Sequence, residues 1–321
     1  MLRCKSAVPA DGRWGASKEK VLIDLKGIFP AVTTPFASDG TVSPAKLREN
    51  IGRYNQSALA GYVLTGSTGE AVLLRWDEAE QVWQAAKEAV APGKILIAGT
   101  AAESTAETIE HTNRAASVGI DAALVRTPHY FKPQMTPDVL AEYYLRVADA
   151  SRIPIMLYSV PIFTQLALKP SVIERVSTHP NIIGMKDSSG DLQGVAEILR
   201  VVPKSFQLLV GSASVMHESL DLGAKGAILA VACAFPEICV EAYQASRSGD
   251  STRAKSLQSK LISAANLFGP KHGIAGIKYA MDRAGFYGGL ARPPLLPLGP
   301  EAKREIDAML ADVVPEAIGR R

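Results

Sequence analysis

Short apolar segments alternate along the chain with longer segments of helical pattern. From residue 27 onward, eight mainly apolar segments of β-type composition occur, and each is followed by a stretch of helical composition. Strands that are apolar without interruption are buried on both faces, as in parallel sheets. The strand candidates are GIFPAVTTPF (27–36), GYVLT (61–65), ILIAGT (95–100), DAALVRT (121–127), IPIMLYS (153–159), NIIGMKD (181–187), FQLLVG (206–211) and GAILAV (226–231).

This alternation predicts the fold class. Helical stretches near residues 44–56, 76–91, 105–117 and 135–150 separate the early strand candidates. Alternating β and α segments form either a closed barrel or an open doubly wound sheet, and eight units favour the barrel. An open sheet that binds a dinucleotide carries G-x-G-x-x-G after its first strand, whereas this first segment ends in TTPFASDG. We therefore predict an α/β protein with a (β/α)8 TIM barrel.

The remaining chain suggests how the barrel is flanked. We assign residues 27–234 to the barrel and residues 235–321 to a C-terminal helical region that completes and flanks it. Residues 235–285 have the composition of two or three helices, and another helix is expected near residues 301–314. Residues 1–26 are basic and polar, and we expect an N-terminal extension that is poorly ordered.

Composition and charge exclude several classes of protein. A formal net charge of +3 over 321 residues gives no electrostatic reason to expect a nucleic-acid partner. No apolar run is long enough to cross a bilayer, so no membrane association is expected. The three cysteines, Cys4, Cys233 and Cys239, are too few for a disulfide framework and indicate a reducing compartment. We therefore expect a cytoplasmic protein.

Lys186 is the most informative polar residue at a strand end, where barrel enzymes place their catalytic groups. It stands near the end of the sixth strand candidate, in NIIGMKDSSGD. Removing an ammonium group from water is costly, so a buried strand seldom ends in lysine. A lysine held away from water loses its proton more readily, and a neutral amine attacks a ketone. From position alone, a lysine that extends out of the barrel and pairs with Asp187 is an equally good interpretation.

Tyr158, Ser67 and Thr68 are further candidates at strand ends. Tyr158 could face Lys186 from the adjacent strand, where a phenol can transfer protons. An aromatic residue that caps the core explains Tyr158 alone more simply. Ser67 and Thr68, in TGSTGE, combine hydroxyls with glycines that expose backbone N–H groups, which suits a carboxylate. An ordinary βα turn with a capping hydroxyl explains this motif too.

The histidines give no metal-site signal. The five histidines show no His-x-His or His-x-x-x-His spacing, which a metal-dependent aldolase would be expected to have. A mechanism with no metal and no organic cofactor fits the sequence better. The histidines are His111, His129, His179, His217 and His272.

Six motifs in one order resemble the dihydrodipicolinate synthase and N-acetylneuraminate lyase family of class I aldolases. They are TPF (34–36), GSTGE (66–70), TP-x-Y (127–130), Y-x-V-P (158–161), GMKDSSGD (184–191) and GAI (226–228). The likeness extends from about residue 27 to about residue 297. It implies a TIM barrel with a C-terminal helical extension and a homotetramer built as a dimer of dimers. It also implies a 2-oxo acid such as pyruvate as the small-molecule partner.

The resemblance also implies roles for individual residues. Lys186 matches the Schiff-base lysine, and Tyr158 matches the catalytic tyrosine that relays protons. Ser67 and Thr68 match the pair that holds the pyruvate carboxylate and assists the relay. Tyr130 matches the tyrosine that enters the relay from a neighbouring subunit. Three further positions match residues beside the substrate, namely Ser188, Gly211 and Ile228.

The choice between members of the family depends on one substitution. In dihydrodipicolinate synthases an arginine that attracts the aldehyde follows Y-x-V-P after one residue, and Phe163 stands there in this chain. The segments YSVP, HPNIIGMKDSSGD, VGSAS and GIAGIKYAMDRAGFYGG resemble 4-hydroxy-2-oxoglutarate aldolase. We therefore predict an aldolase or lyase of that kind. The first alternative is a dihydrodipicolinate synthase that condenses pyruvate with aspartate semialdehyde, with an arginine from another loop, such as Arg126, in the pocket. The second is a non-catalytic barrel that binds a 2-oxo acid.

Overall fold

Eight parallel strands form the centre of the molecule. A computed structural model describes residues 23–313, except for the side chain of residue 270. Each strand is four to six residues long and almost entirely buried, as its apolar composition predicts. The strands are β1 (Gly27–Pro30), β2 (Gly61–Leu64), β3 (Ile95–Gly99), β4 (Ala122–Arg126), β5 (Ile155–Ser159), β6 (Ile182–Asp187), β7 (Gln207–Val210) and β8 (Gly226–Leu229).

The sheet closes on itself. Consecutive strands from β2 to β8 pair in parallel, and β8 pairs with β1. The remaining gap, between β1 and β2, is closed by two backbone hydrogen bonds. Ala60 donates its N–H to the carbonyl of Ile28 over 2.9 Å, and Val32 donates to Val63 over 2.9 Å. The predicted (β/α)8 barrel is confirmed.

Helices connect the strands on the outside of the barrel. Several begin with proline at the first helical position, where the missing N–H costs no hydrogen bond. The helices are α1 (Pro44–Tyr54), α2 (Trp76–Ala89), α3 (Thr105–Val118), α4 (Pro137–Ala150), α5 (Pro161–Thr164), α6 (Pro170–Val176), α7 (Leu192–Val201), α8 (Met216–Leu222), α9 (Pro236–Ser248), α10 (Ser251–Asn266), α11 (Gly273–Arg283) and α12 (Pro300–Val313).

The region after β8 agrees with the predicted number of helices. Three helices, α9, α10 and α11, lie between residues 235 and 285, and α12 follows. A π-helical turn, Leu267–Lys271, joins α10 to α11. No helix among residues 23–313 is long and apolar enough to span a bilayer. The N-terminal extension assigned to residues 1–26 lies largely outside the described residues, and the domain limits stay a prediction.

The first strand is shorter than its apolar pattern predicts. The segment 27–36 reads as one run, but β1 ends at Pro30. Pro30 and Pro35 lack the N–H that a ladder needs, so the sequence offers a reason for the early end. After β1, only single bridges remain, at Ala31 and at Phe36. The chain therefore leaves the sheet early and continues as a loop from the carboxyl end of β1.

Two apolar layers explain which side chains can reach the site. One layer lies between the sheet and the helices, and the other fills the barrel. Alternate residues of each strand point to opposite faces. In β5, Met156 and Tyr158 belong to the inner layer, whereas Ile155 and Leu157 belong to the outer layer. The inner layer ends at the carboxyl ends of the strands, where the polar candidates begin.

Candidate active site

Lys186 and Tyr158 meet at the carboxyl end of the barrel. They are directly paired in register on β6 and β5. The Nζ of Lys186 lies 4.6 Å from the centre of the Tyr158 ring. Both side chains are buried, and only 6% of Lys186 is exposed. The structure therefore brings the amine and the phenol together, as their strand positions predict.

Lys186 does not pair with Asp187, which was the alternative interpretation. Neighbouring residues of a strand point to opposite faces, and the Asp187 carboxylate accepts hydrogen bonds from Ser189 instead. Burial raises the pKa of Asp187, while the Ser189 hydrogen bonds oppose that shift. Within residues 23–313, Lys186 makes no ion pair. Its amine thus has no fixed counter-ion in the described part of the chain.

The GSTGE loop after β2 places Ser67 beside Tyr158. The hydroxyl oxygens of Ser67 and Tyr158 are 3.3 Å apart, and Thr68 is buried next to Ser67. Thr65, which precedes the loop, and Glu70, its last residue, both have left-handed backbone conformations, with φ of 48° and 59°. Such conformations are costly for residues other than glycine and recur at functional sites. The loop is therefore held in one specific shape beneath the Tyr158 hydroxyl.

Gly211 shows how closely the site is packed around Lys186. A Cβ atom at this position would lie 1.9 Å from the Ser188 Oγ and 2.9 Å from the Lys186 Cε. A side chain here would collide with both residues. Ile228 is fully buried in the inner layer on β8. Ser188 and Gly211 thus lie beside Lys186, where the resemblance places substrate-contacting residues.

A cavity of about 610 Å³ opens beside Tyr158 and Ser67, whereas Lys186, Thr68, Ser188, Gly211 and Ile228 are not among the described residues that line it. Ser67 and Tyr158 line it, and Phe163 and Arg126 form other parts of its wall. Phe163 is 62% exposed, so its ring lies at the rim of the cavity. Arg126, at the end of β4, is directly paired in register with Tyr158. The position at which an arginine is expected therefore carries an apolar ring, and a different arginine lies in the wall.

The family model that matches this chain is the dihydrodipicolinate synthetase family, over residues 24–313. The chain belongs to the dihydrodipicolinate synthetase family. Its members are enzymes of the aldolase and lyase type, so this chain is an enzyme of that type. The match covers every candidate site residue. The family assignment and the enzyme class predicted from the six motifs are confirmed.

Named relatives and solved structures agree with this assignment. A 4-hydroxy-tetrahydrodipicolinate synthase of Methanothrix thermoacetophila is 34% identical over 291 residues, covering 90% of this chain and 96% of the relative. One from Geobacter metallireducens is 33% identical, covering 90% and 98%. A dihydrodipicolinate synthase of Acinetobacter baumannii, solved with pyruvate, has a TM-score of 0.85 at 30% identity, covering 90% and 98%. These names support the first alternative, a dihydrodipicolinate synthase that condenses pyruvate with aspartate semialdehyde, better than the 4-hydroxy-2-oxoglutarate aldolase interpretation.

Tyr130 does not line the cavity of its own chain. Its side chain is 77% exposed and packs edge-on against Phe131, with ring centres 5.1 Å apart. The backbone N–H groups of His129 and Tyr130 both donate to the Glu103 carboxylate, over 2.8 and 2.9 Å. The loop is thus anchored while the phenol extends outward. A role for Tyr130 in catalysis requires a second subunit and remains a prediction.

A buried polar network beneath the GSTGE loop was not predicted from the sequence. Lys278 on α11 is completely buried, and its Nζ lies 2.6 Å from the Glu70 Oε1. The same amine donates to the carbonyls of Thr34 and Leu290, over 2.8 and 2.9 Å. The backbone N–H of Arg292 donates to the other Glu70 oxygen over 2.7 Å. The C-terminal region therefore holds the loop that carries Ser67 and Thr68.

A second ion pair, also largely buried, lies beside this network. The Arg292 guanidinium donates to both oxygens of Glu78, over 2.7 and 2.8 Å. Among residues 23–313, no group of three or more His, Cys, Asp or Glu side chains is arranged to hold a metal ion. GSTGE and the GIKYAMDR segment were recognised as motifs, but a contact between residues 208 positions apart left no signal in either one.

Proposed function

We propose that this protein is a Schiff-base lyase that makes or breaks a carbon–carbon bond next to pyruvate. The observation that carries the proposal is the buried Lys186 amine, which has no ion pair among the described residues and lies against the Tyr158 ring. An amine of this kind is a nucleophile for a ketone, and the adjacent phenol is a proton carrier. The pyruvate complexes of related structures support the same ligand here.

In the cleavage direction, the Lys186 amine adds to C2 of a 4-hydroxy-2-oxo acid, and loss of water gives a protonated imine. The C4 hydroxyl then loses its proton, and the C3–C4 bond breaks. Its electron pair moves to form an enamine with the imine carbon, and an aldehyde leaves. C3 then takes a proton, and water hydrolyses the imine to release pyruvate. The condensation direction is the reverse sequence.

Tyr158, Ser67 and Thr68 are the groups that we assign to proton transfer and carboxylate binding. The Tyr158 hydroxyl lies 3.3 Å from Ser67, which gives a hydrogen-bonded path from the barrel mouth to the GSTGE loop. Hydroxyls and loop N–H groups suit the C1 carboxylate of the substrate. Ser188 and the backbone at Gly211 and Ile228 complete the pocket around the bound carbon skeleton in this proposal.

The substrate that we favour is a 4-hydroxy-2-oxo acid of the 4-hydroxy-2-oxoglutarate type. Phe163 lies at the rim of the cavity and offers no charge to the carboxylate of the seven-carbon chain built from aspartate semialdehyde, whereas Arg126, which is less exposed, lies in the wall for a shorter five-carbon acid. A charge-assisted hydrogen bond contributes about 1.5–3 kcal/mol, or roughly 10- to 100-fold in binding. The second candidate is condensation of pyruvate with aspartate semialdehyde, and the names of the curated relatives favour it.

The two reactions can be separated on one preparation. We expect kcat/KM for cleavage of 4-hydroxy-2-oxoglutarate to exceed kcat/KM for condensation with aspartate semialdehyde by about tenfold or more, about 1.4 kcal/mol. Coupled assays of pyruvate release and of pyruvate consumption measure both values. If aspartate semialdehyde is preferred by about tenfold, the protein is a dihydrodipicolinate synthase.

A substitution tests whether Phe163 is the cause. Phe163→Arg should raise kcat/KM for aspartate semialdehyde by roughly 10-fold or more, because it restores a charged group at the rim. Ile162→Arg is the matched control, since Ile162 is also exposed but does not line the cavity. Equal effects of the two variants would show that net charge, rather than position, caused the change.

We propose further that the active protein is a homotetramer in which Tyr130 completes the relay of a neighbouring subunit. The exposure of Tyr130, together with that of neighbouring Phe131, supports an interface at this loop, since exposed apolar surface marks contact sites. Tyr130→Phe should lower kcat by roughly tenfold, about 1.4 kcal/mol, with a smaller change in KM, if the hydroxyl acts mainly in the transition state. Steady-state kinetics measures both constants.

Two controls make the Tyr130 prediction specific. Tyr279→Phe removes a hydroxyl that hydrogen-bonds Asp307 on α12, and it should leave kcat nearly unchanged. Light scattering reports the oligomeric state of each variant. A fully active monomer would eliminate the proposed role of Tyr130.

A further inference from the structure

We infer that Arg126 binds the second carboxylate of a dicarboxylic 2-oxo acid. This inference rests on the proposed function, because it assigns the far end of a substrate whose 2-oxo group reacts with Lys186. Arg126 is the only cationic side chain, other than a histidine, among the described residues that line the cavity. Arg126, at the end of β4, would therefore select dicarboxylic over monocarboxylic 2-oxo acids.

The strand position of Arg126 directs it toward the site. Ala122 and Leu124 of β4 belong to the inner layer of the barrel, so Arg126, two residues further, lies on the same face. Arg126 pairs in register with Tyr158, and Tyr158 pairs with Lys186. The three functional groups thus occupy the same level on three adjacent strands, with the tyrosine in the middle.

This spacing suits a five-carbon acid. Adjacent strands lie about 4.8 Å apart, so the backbones at Arg126 and Lys186 are separated by roughly 10 Å. From C2, the atom that bonds to Lys186, to the C5 carboxyl carbon, an extended five-carbon chain spans about 4 Å, from C–C bonds of about 1.5 Å. An acid bound through C2 to Lys186 can therefore extend past Tyr158 toward Arg126. The guanidinium needs to cover only the remaining distance.

The guanidinium is held along one edge and has donors to spare along the other. Its Nη1 donates to Glu103 over 2.8 Å and to the Thr127 carbonyl over 3.1 Å, and it lies 2.8 Å from the His129 Nδ1. The same Nδ1 lies 2.9 Å from the Glu103 Oε1, and burial and the nearby Arg126 charge lower the pKa of His129. Nε and Nη2 of Arg126 have no hydrogen-bond partner within residues 23–313.

An arginine in this arrangement is suited to a carboxylate. Two N–H groups of a guanidinium match the two oxygens of a carboxylate, and fixing the side chain beforehand lowers the entropy cost of binding. Glu103 neutralises part of the Arg126 charge, and two other carboxylates, Glu70 and Glu107, line the cavity. These carboxylates oppose an anion elsewhere in the cavity, so the second edge of Arg126 is where a second carboxylate gains most.

Two acids of equal chain length test the inference. The probes are 2-oxoglutarate, which has a C5 carboxylate, and 2-oxopentanoate, which has a methyl group there. Each competes with pyruvate for borohydride trapping on the native protein, and the competition gives an apparent Kd. We expect 2-oxoglutarate to bind about tenfold or more tightly than 2-oxopentanoate, as expected for a charge-assisted contact.

Arg126→Met should abolish that preference while leaving the 2-oxopentanoate Kd within about threefold, because only the C5 group loses its partner. Arg126→Lys should retain part of it, because a lysine keeps the charge without the planar fork. The matched control is Arg146→Met, which removes an exposed arginine paired with Glu142 on α4. The Arg146→Met variant should prefer 2-oxoglutarate over 2-oxopentanoate by the same factor as the unsubstituted protein.

The outcomes separate this inference from the proposed function. Failure of pyruvate trapping at Lys186 refutes the proposed function itself. Normal trapping with equal affinity for the two acids refutes the carboxylate subsite and leaves the Schiff-base lyase intact. A parallel loss of affinity for both acids in Arg126→Met shows that Arg126 only stabilises the loop with Glu103, and this result also overturns the inference.

Discussion

Sodium borohydride added together with pyruvate is expected to attach a reduced pyruvyl group to Lys186 and to no other lysine. The imine forms only where a neutral amine meets the ketone, and borohydride converts it to a stable secondary amine. Peptide mass spectrometry locates the adduct. Lys186→Ala should lower kcat/KM by on the order of 10⁴-fold or more, about 5.4 kcal/mol, because no other group can supply the electron sink.

Lys278 provides an internal comparison for this experiment, because it is a second buried lysine. Its amine lies against Glu70 and donates to two backbone carbonyls, and the side chain has no exposed surface. A ketone therefore cannot reach it, and its three donors are already engaged. An adduct on Lys278, or on a surface lysine in active protein, would refute the Schiff-base role of Lys186. Far-ultraviolet circular dichroism of Lys186→Ala checks that the fold is retained.

The barrel was predictable because its strands are buried on both faces. Uninterrupted apolar runs such as those of β5 and β6 leave little choice except a parallel sheet with helices outside. The residues at which strands end could not be predicted in the same way. Apolar residues after Pro30 are buried, but they pack in a loop rather than in β1. An apolar pattern indicates that residues are buried. A strand also needs backbone N–H groups that donate hydrogen bonds to the neighbouring strand.

The centre of the site was also predictable, because adjacent parallel strands place Tyr158 and Lys186 side by side. Contacts between distant loops were not. Which nitrogen of the Arg126 guanidinium is hydrogen-bonded depends on Glu103 and His129, which come from two different loops. A sequence pattern gives the strand position of each residue but not the direction in which a long side chain turns. In the proposed tetramer, the partner of Tyr130 belongs to another copy of the chain, so no pattern within one chain can indicate it.

Lys278→Met is expected to cause the largest loss of stability among the substitutions considered for this protein. It removes the ammonium group beside Glu70 and leaves a carboxylate in a site from which water is excluded. Breaking a buried ion pair by removing one partner costs about 3–5 kcal/mol. For a chain of this size, we expect the midpoint of thermal unfolding to fall by roughly 5–15 °C.

Lys46→Met is the matched control, since it makes the same change in an exposed ion pair. Lys46 lies 2.7 Å from Glu49 on α1, and the two side chains are 41% and 56% exposed. Exposed pairs contribute about 0–1 kcal/mol, so the midpoint should change by roughly 3 °C or less. Equal shifts for Lys46→Met and Lys278→Met would contradict a stabilising role for the buried network.

The double substitution Lys278→Met with Glu70→Gln separates charge from packing. The glutamine side chain would keep an oxygen for the Arg292 N–H but would carry no charge, so part of the lost stability should return. The same variants test the link to catalysis, because Glu70 follows Ser67 and Thr68 in one loop. If the network positions that loop, Lys278→Met should raise KM for pyruvate at a temperature where it is folded. The double variant should lower KM again, whereas a network that only stabilises the fold would leave KM unchanged in both.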